Sequence, residues 1–136
     1  MQHTIIELIN AGLLDSAHDC SDGGLATALA KMAFTSAIGC NVDLPSNELA
    51  PEFVLFGEDA SRVVMSCDPA NLAGIKQIAA KHSVAADVLG ETVIGTIEIK
   101  VDGRTAVSSK IAELRDVYEK ALEHALRSEP AQVAAD

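Results

Sequence analysis

The sequence predicts an α/β fold, a mixed β-sheet flanked by helices in two or three layers, and three observations carry that prediction. Helical periodicities alternate with short β-rich runs along the chain. Asp102-Gly103 joins two alternating runs, Ile97 to Val101 and Arg104 to Val107, as a tight antiparallel hairpin. Gly23-Gly24 lacks the Gly-x-Gly-x-x-Gly spacing, and there is no Gly-x-x-x-x-Gly-Lys-Ser/Thr loop, so a purely parallel nucleotide-binding sheet fits less well.

The first helix is expected over roughly residues 3 to 14: Thr4 and Glu7 have capping-box spacing, Ile5, Ile6, Leu8, Ile9 and Leu13 form an apolar face, and Gly12 lies near the end. Asp15 to Asp19 reads as a link. A second helix follows from the diglycine to about Ser36, because Leu25, Ala28, Leu29, Met32 and Ala33 recur at helical spacing. Gly39 to Leu44 alternates and stops at Pro45, which marks a short strand.

Ser46 to Phe56 carries Leu49, Phe53, Val54 and Phe56 at helical spacing, and Pro51 is best tolerated in a first turn there. Arg62 to Cys67 is β-rich and ends at Asp68-Pro69, a cap followed by proline at the start of a helix that Leu72, Ile75, Ile78 and Ala79 carry to about His82. Val88-Leu89 reads as a further strand ahead of the hairpin. Ile111, Leu114, Tyr118, Ala121, Leu122 and Ala125 define a last amphipathic helix. Residues 1–127 are thus expected as one domain, and 128–136, aperiodic and containing Pro130, as a disordered tail.

Composition narrows the function. A net charge of −10, with no basic run and no Trp, excludes nucleic acid and anionic membranes as partners and makes a base-stacking pocket within the chain improbable. No apolar run approaches the roughly 20 residues of a membrane helix, and no signal-like segment opens the chain, so a cytoplasmic location is expected. Cys20, Cys40 and Cys67 form no Cys-x-x-Cys pair, which argues against a disulfide framework and a zinc site. There is no Gly-x-Ser-x-Gly elbow, no His-Glu-x-x-His, and no Cys/His pairing beyond His18 and Cys20, which we read as noncatalytic.

Ala17-His18-Asp19-Cys20-Ser21-Asp22-Gly23-Gly24-Leu25 brings two carboxylates, a hydroxyl and a diglycine to a helix entrance, where free N–H groups attract anions. Asp19 and Asp22 could together hold Mg²⁺, which favours one or two carboxylates plus phosphate oxygens. The competing reading is structural: Ser21 or Asp22 caps the helix and the glycines permit close packing. Phe56-Gly57-Glu58-Asp59-Ala60-Ser61-Arg62 is the second polar concentration; Glu58 could bind a cation or a hydroxyl, and Arg62 a phosphate or Glu58 itself.

His18 to Ala30, then Gly39 to Leu44, then Leu55-Phe56-Gly57-Glu58-Asp59-Ala60-Ser61-Arg62, in that order, resemble the C-terminal domain of the aminoimidazole ribonucleotide synthetase-related superfamily, and within it the phosphoribosylformylglycinamidine synthase large-subunit family. Ala86 to Gly90 and Ile94 to Ile97 agree, so the resemblance runs from about His3 to Leu126. Lys31 and Gly57 depart from the family pattern, which more often has an acidic residue and a serine there.

That resemblance implies a mixed sheet flanked by helices in an enzyme of purine biosynthesis that uses ATP and Mg²⁺ to amidate formylglycinamide ribonucleotide with glutamine-derived ammonia. It implies as partners the N-terminal ATP-binding domains of the same enzyme and a glutaminase subunit or domain. It places His18, Asp19, Ser21, Asp22, Gly23, Gly24, Glu58 and Arg62 beside the nucleotide or substrate phosphates, and by itself the domain is expected to be inactive. The alternatives are a stand-alone nucleotide- or phosphate-binding regulatory module, or the equivalent domain of a selenophosphate synthetase, hydrogenase-maturation or thiamine phosphate kinase relative.

Overall fold

A computed structural model describes residues 1–127; the tail expected over 128–136 lies outside the described residues. In chain order the elements are α1 (Gln2–Asn10), β1 (Ser16–Asp19), α2 (Gly24–Ser36), β2 (Ile38–Leu44), α3 (Pro51–Phe56), β3 (Val63–Ser66), α4 (Leu72–Lys81), β4 (Gly90–Ile94), β5 (Thr96–Val101), β6 (Arg104–Lys110) and α5 (Ile111–Arg127), with a short 3₁₀ turn Pro69–Asn71 leading into α4.

The expected mixed sheet has four strands in the order β4-β2-β5-β6, and β1 pairs with β3 in a separate two-stranded ladder. β2 lies parallel to β5 and antiparallel to β4, in a register that sets Cys40 opposite Ile97, Val42 opposite Ile99 and Leu44 opposite Val101. Period-2 alternation sends all six of these side chains to one face, where they are buried. α2 and α5 cover that face through Leu25, Ala28, Leu29, Ala33 and Ile111, all of them buried. Asn41, Asp43, Glu98 and Lys100 alternate onto the opposite, polar face.

Gly95 makes the crossing possible. After β4 has run antiparallel to β2, Gly95 (φ +82°) donates its N–H to the Ala37 carbonyl at 2.9 Å and turns the chain into β5 on the other side of β2. Positive φ is cheap only without a Cβ. Asp102-Gly103 forms the β5–β6 turn as the sequence predicts, both residues at positive φ.

A smaller core lies between α1, α4 and β3. Leu8, Ile75 and Ala79 are buried there beside a cavity of about 40 Å³ that Thr4, Val63 and Met65 also line. Glu7 on α1 reaches α4, accepting from Lys81 Nζ at 2.7 Å and meeting His82 Nε2 at 2.7 Å.

Four local expectations change. The Thr4–Glu7 capping box does not form: α1 begins at Gln2 with Met1 at its N-cap position, so Thr4 is already within the helix with its hydroxyl turned into the core, and Glu7 serves α4. α1 also ends at Asn10, short of residue 14. Ser16–Asp19 is a strand and not a link, because β3 supplies its backbone partners. Val88-Leu89 precedes the strand that begins at Gly90.

Candidate functional site

The two polar motifs meet because β1 and β3 are paired. Asp19 lies opposite Val63 at the end of the ladder, and the Cys20 N–H extends it by donating to the Arg62 carbonyl at 2.9 Å. The chain leaving β1 therefore runs beside the chain entering β3, which sets residues 20–24 against 57–62. A second connection closes the gap: the Gly23 N–H donates to Glu58 Oε1 at 3.0 Å, across 35 residues of sequence.

Neither Ser21 nor Asp22 caps α2. The N-cap is Gly23, at φ +80° and without a side-chain cap bond. Gly24 (φ +68°) sits under the end of α3, and a Cβ there would stand 2.6 Å from the Phe56 carbonyl carbon and 2.8 Å from Gly57 O. Gly23 is constrained by Thr27, whose Oγ1 would lie 2.5 Å from an added Cβ. Gly24 thus serves close packing of α2 against the end of α3, while Gly23 leaves room for the Thr27 side chain one turn on. Fewer entrance N–H groups are free than the sequence suggests, since Glu58 takes that of Gly23 and the Ser21 carbonyl takes that of Gly24 at 3.1 Å.

Asp19 is exposed, and its carboxyl is held below the ordinary carboxylate range by the Ser21 hydroxyl above all, then by its own backbone N–H. His18, half-buried, donates Nδ1–H to the Asp19 carbonyl at 2.6 Å, and its ring lies 3.5 Å from Asp19 Oδ1. Arg62 faces Asp59 at 3.6 Å, not Glu58, whose carboxylate is engaged by Gly23. Cys20 is buried, and burial pushes its thiol up against the partial opposition of Arg62, which supports its noncatalytic reading.

Sequence reasoning missed Asp59, the partner of Arg62, and Ser61, which turns the loop at φ +64° just before β3. Neither position carries a local signal: an acidic residue beside another and a serine in a polar loop are ordinary.

Asp19, Asp22, Glu58 and Asp59 are all exposed along this wall, against the Arg62 guanidinium and the Lys31 ammonium, whose charge acts on Asp19. Such a wall repels a bare polyphosphate, so phosphate binding here requires a cation or basic groups from elsewhere. Among the described residues no three His, Cys, Asp or Glu side chains are grouped to hold a metal ion. Mg²⁺ is commonly bound through one or two carboxylates completed by phosphate oxygens and water, and Asp19 and Asp22 are two exposed carboxylates ahead of α2.

Comparison with known proteins follows the same lines. The model of a family described as AIR synthase related protein, C-terminal domain, matches residues 1–102. Phosphoribosylformylglycinamidine synthase subunit PurL of Thermobifida fusca is 42% identical over 118 residues, 87% of this chain and 15% of that protein. The subunit of the same name from Moorella thermoacetica is 35% identical over 114 residues, 84% of this chain and 15% of the relative, and that of Anaeromyxobacter dehalogenans 36% identical over 145 residues, 99% and 18%. The chain therefore spans less than a fifth of the length of these relatives. Among solved structures, Thermotoga maritima PurL complexed with AMPPCP superposes with a TM-score of 0.75 at 21% identity, over 82% of this chain and 20% of that one. The same protein complexed with ATP gives the same values, a likeness of fold.

Proposed function

Because the chain belongs to the AIR synthase related family, as a C-terminal domain of it, we propose that it is the terminal domain of a phosphoribosylformylglycinamidine synthase, inactive alone and completed by ATP-binding domains. In that reaction the amide oxygen of formylglycinamide ribonucleotide attacks the γ-phosphorus of ATP and ADP leaves. Ammonia then adds to the activated carbon, and phosphate departs with the former amide oxygen. Catalysis of this kind rests on positioning and charge stabilisation more than on covalent steps by the protein.

The observation that carries the reading is the Gly23–Glu58 bond, which joins the two family motifs into one wall. On this reading Asp19 and Asp22 would hold Mg²⁺ against the nucleotide phosphates, where the ion supplies charge neutralisation. The Ser21 hydroxyl, which lowers the Asp19 pKa, favours the charged form that role uses. His18 steadies the backbone at Asp19, Glu58 ties the second loop to α2, and Arg62 and Lys31 offer the wall positive charge. Gly23 and Gly24 keep the α2 entrance close to that loop. A wall with more carboxylates than cations is half of a phosphate site, and on this reading the basic half belongs to the partner domains.

The ammonia source on this reading is a glutaminase subunit or domain. The three cysteines are free, which suits a reducing cytoplasm. The deciding experiment assays amidation with ammonium salts as nitrogen source, for this chain alone and for the chain supplied with the preceding ATP-binding domains of a related synthase. Turnover only in the combined sample is expected. Turnover by the chain alone overturns the reading, and tight ATP–Mg²⁺ binding by the chain alone assigns it instead to a self-sufficient nucleotide-binding module.

A further inference from the structure

Two of the chain's three phenylalanines stand in solvent on one short helix. α3 buries Val54 and Leu55 on one side, while Phe53 and Phe56, one turn apart on the other, are 65% and 51% exposed. Leu49, just ahead of the helix, is exposed as well. Aromatic side chains carry large apolar surfaces and are enriched where proteins meet. The patch is continuous with the candidate wall: Gly24 of α2 lies under the Phe56 backbone, and Glu58, two residues beyond Phe56, accepts from the Gly23 N–H.

The charges around the patch select its occupant. Glu48, Glu52, Glu58 and Asp59 are all exposed along the segment from Ser46 to Arg62, in which Arg62 is the only cation. Among the described residues only Asp59 of these four is in an ion pair, with that arginine. A second copy would bring the same unpaired carboxylates to a two-fold contact, where like charges oppose association. Nucleic acid and anionic lipid are repelled in the same way. What fits is a protein surface that offers arginine or lysine beside an apolar hollow. A guanidinium can pair with a glutamate such as Glu52 and lie over the face of an exposed phenylalanine at once.

We infer that Phe53 and Phe56 of α3 form the docking surface for the ATP-binding domains that complete the site, and that a basic rim on those domains meets Glu48 and Glu52 and continues onto the wall at Glu58 and Asp59. The inference rests on the function proposed above, which already requires basic groups from partner domains at that wall. Docking on α3 delivers them there, because the aromatic patch and the wall share the loop from Phe56 to Arg62. Aromatic anchors at the centre with charged pairs at the rim are the anatomy of a specific contact.

Titration calorimetry of the complete 136-residue chain with the preceding ATP-binding domains of a related synthase tests this. The wild-type chain is expected to bind with an affinity that falls as salt is raised. Phe53→Ser/Phe56→Ser should weaken binding by about tenfold or more, the scale of aromatic anchors, and Glu52→Lys should weaken it in the same direction. Ile94→Ser, at an equally exposed apolar residue on β4, should leave it unchanged. If the double variant loses its helical circular dichroism, Phe53→Ser alone gives the same readout. In the amidation assay the double variant should need correspondingly more chain for half-maximal turnover and reach the wild-type rate at saturation. No binding by the wild-type chain overturns the inference. So does an affinity unchanged in the double variant, an equal loss in Ile94→Ser, or self-association through α3 in place of binding. Binding through Phe53 and Phe56 without turnover removes the proposed reaction and leaves the docking surface standing, whereas turnover indifferent to both residues does the reverse.

Discussion

The Gly23 amide and the Glu58 carboxylate, 35 residues apart in sequence, are joined by a 3.0 Å hydrogen bond that fixes the entrance of α2 to the loop ahead of β3. Glu58→Ala should free the Gly23 amide, and its hydrogen-exchange protection should fall by about tenfold while amides within β5 keep theirs. Glu58→Gln, which retains an acceptor oxygen, should restore most of that protection. Two-dimensional NMR exchange on the three proteins reads the difference.

Gly24→Ala should be among the most damaging single-methyl additions in the chain. The new Cβ would stand 2.6 Å from backbone at Phe56, which no rotamer change relieves, and φ is +68°. Left-handed strain and overpacking together cost about 2–4 kcal/mol. Gly12→Ala is the control: φ is +66°, nothing lies within 4 Å of its Cβ, and only the strain of about 1–2 kcal/mol should remain. Urea titration of both variants separates the two terms.

Thr4→Val should stabilise the protein. Thr4 is 2% exposed and its Oγ1 has no hydrogen-bond partner among the described residues, so its hydroxyl is desolvated without compensation beside an apolar cavity. Replacing the hydroxyl by a methyl of nearly the same size should add about 1 kcal/mol. For a chain of this length that is a rise of roughly 3–5 °C in thermal midpoint, measurable by calorimetry.

Stability should fall on the acid side through Glu7. Hydrogen bonds from Lys81 and then His82 hold its carboxyl below the ordinary value of 4.5. The folded-state value thus lies below the unfolded one, so the contribution is complete above the unfolded value and is lost as pH falls through the folded one. Glu7→Gln should flatten that part of the urea midpoint–pH curve and lower the neutral-pH plateau only modestly, since Glu7 is solvent-accessible. An unaltered acid slope would show that other carboxylates carry it.

Much of this architecture is legible in the sequence because it is written in periodicity and turn chemistry. Leu25 to Ala33 and Ile111 to Ala125 announce α2 and α5, and Asp102-Gly103 announces the β5–β6 turn. What escapes is structure whose cause lies far along the chain. Ser16–Asp19 has polar residues at three of its four positions and becomes a strand only because Val63–Ser66 lies beside it. Thr4 and Glu7 have capping-box spacing, but the helix starts before them and α4 claims the glutamate. The candidate site divides in the same way. Its residues stand out locally, whereas the pairing of Glu58 with Gly23 and of Arg62 with Asp59 does not, because nothing near either residue specifies its partner.

The placement of β2 between β4 and β5 bears on how the chain is made. Both neighbours come from one stretch, residues 90–101, pivoting on Gly95. A nascent chain that has emerged only as far as Leu89 holds β2 with neither flank occupied, and the next dozen residues close both. The large sheet is therefore born in a single late event, and any ribosome that stalls before Gly90 releases a product whose central strand is bare on both sides, a ready target for quality control.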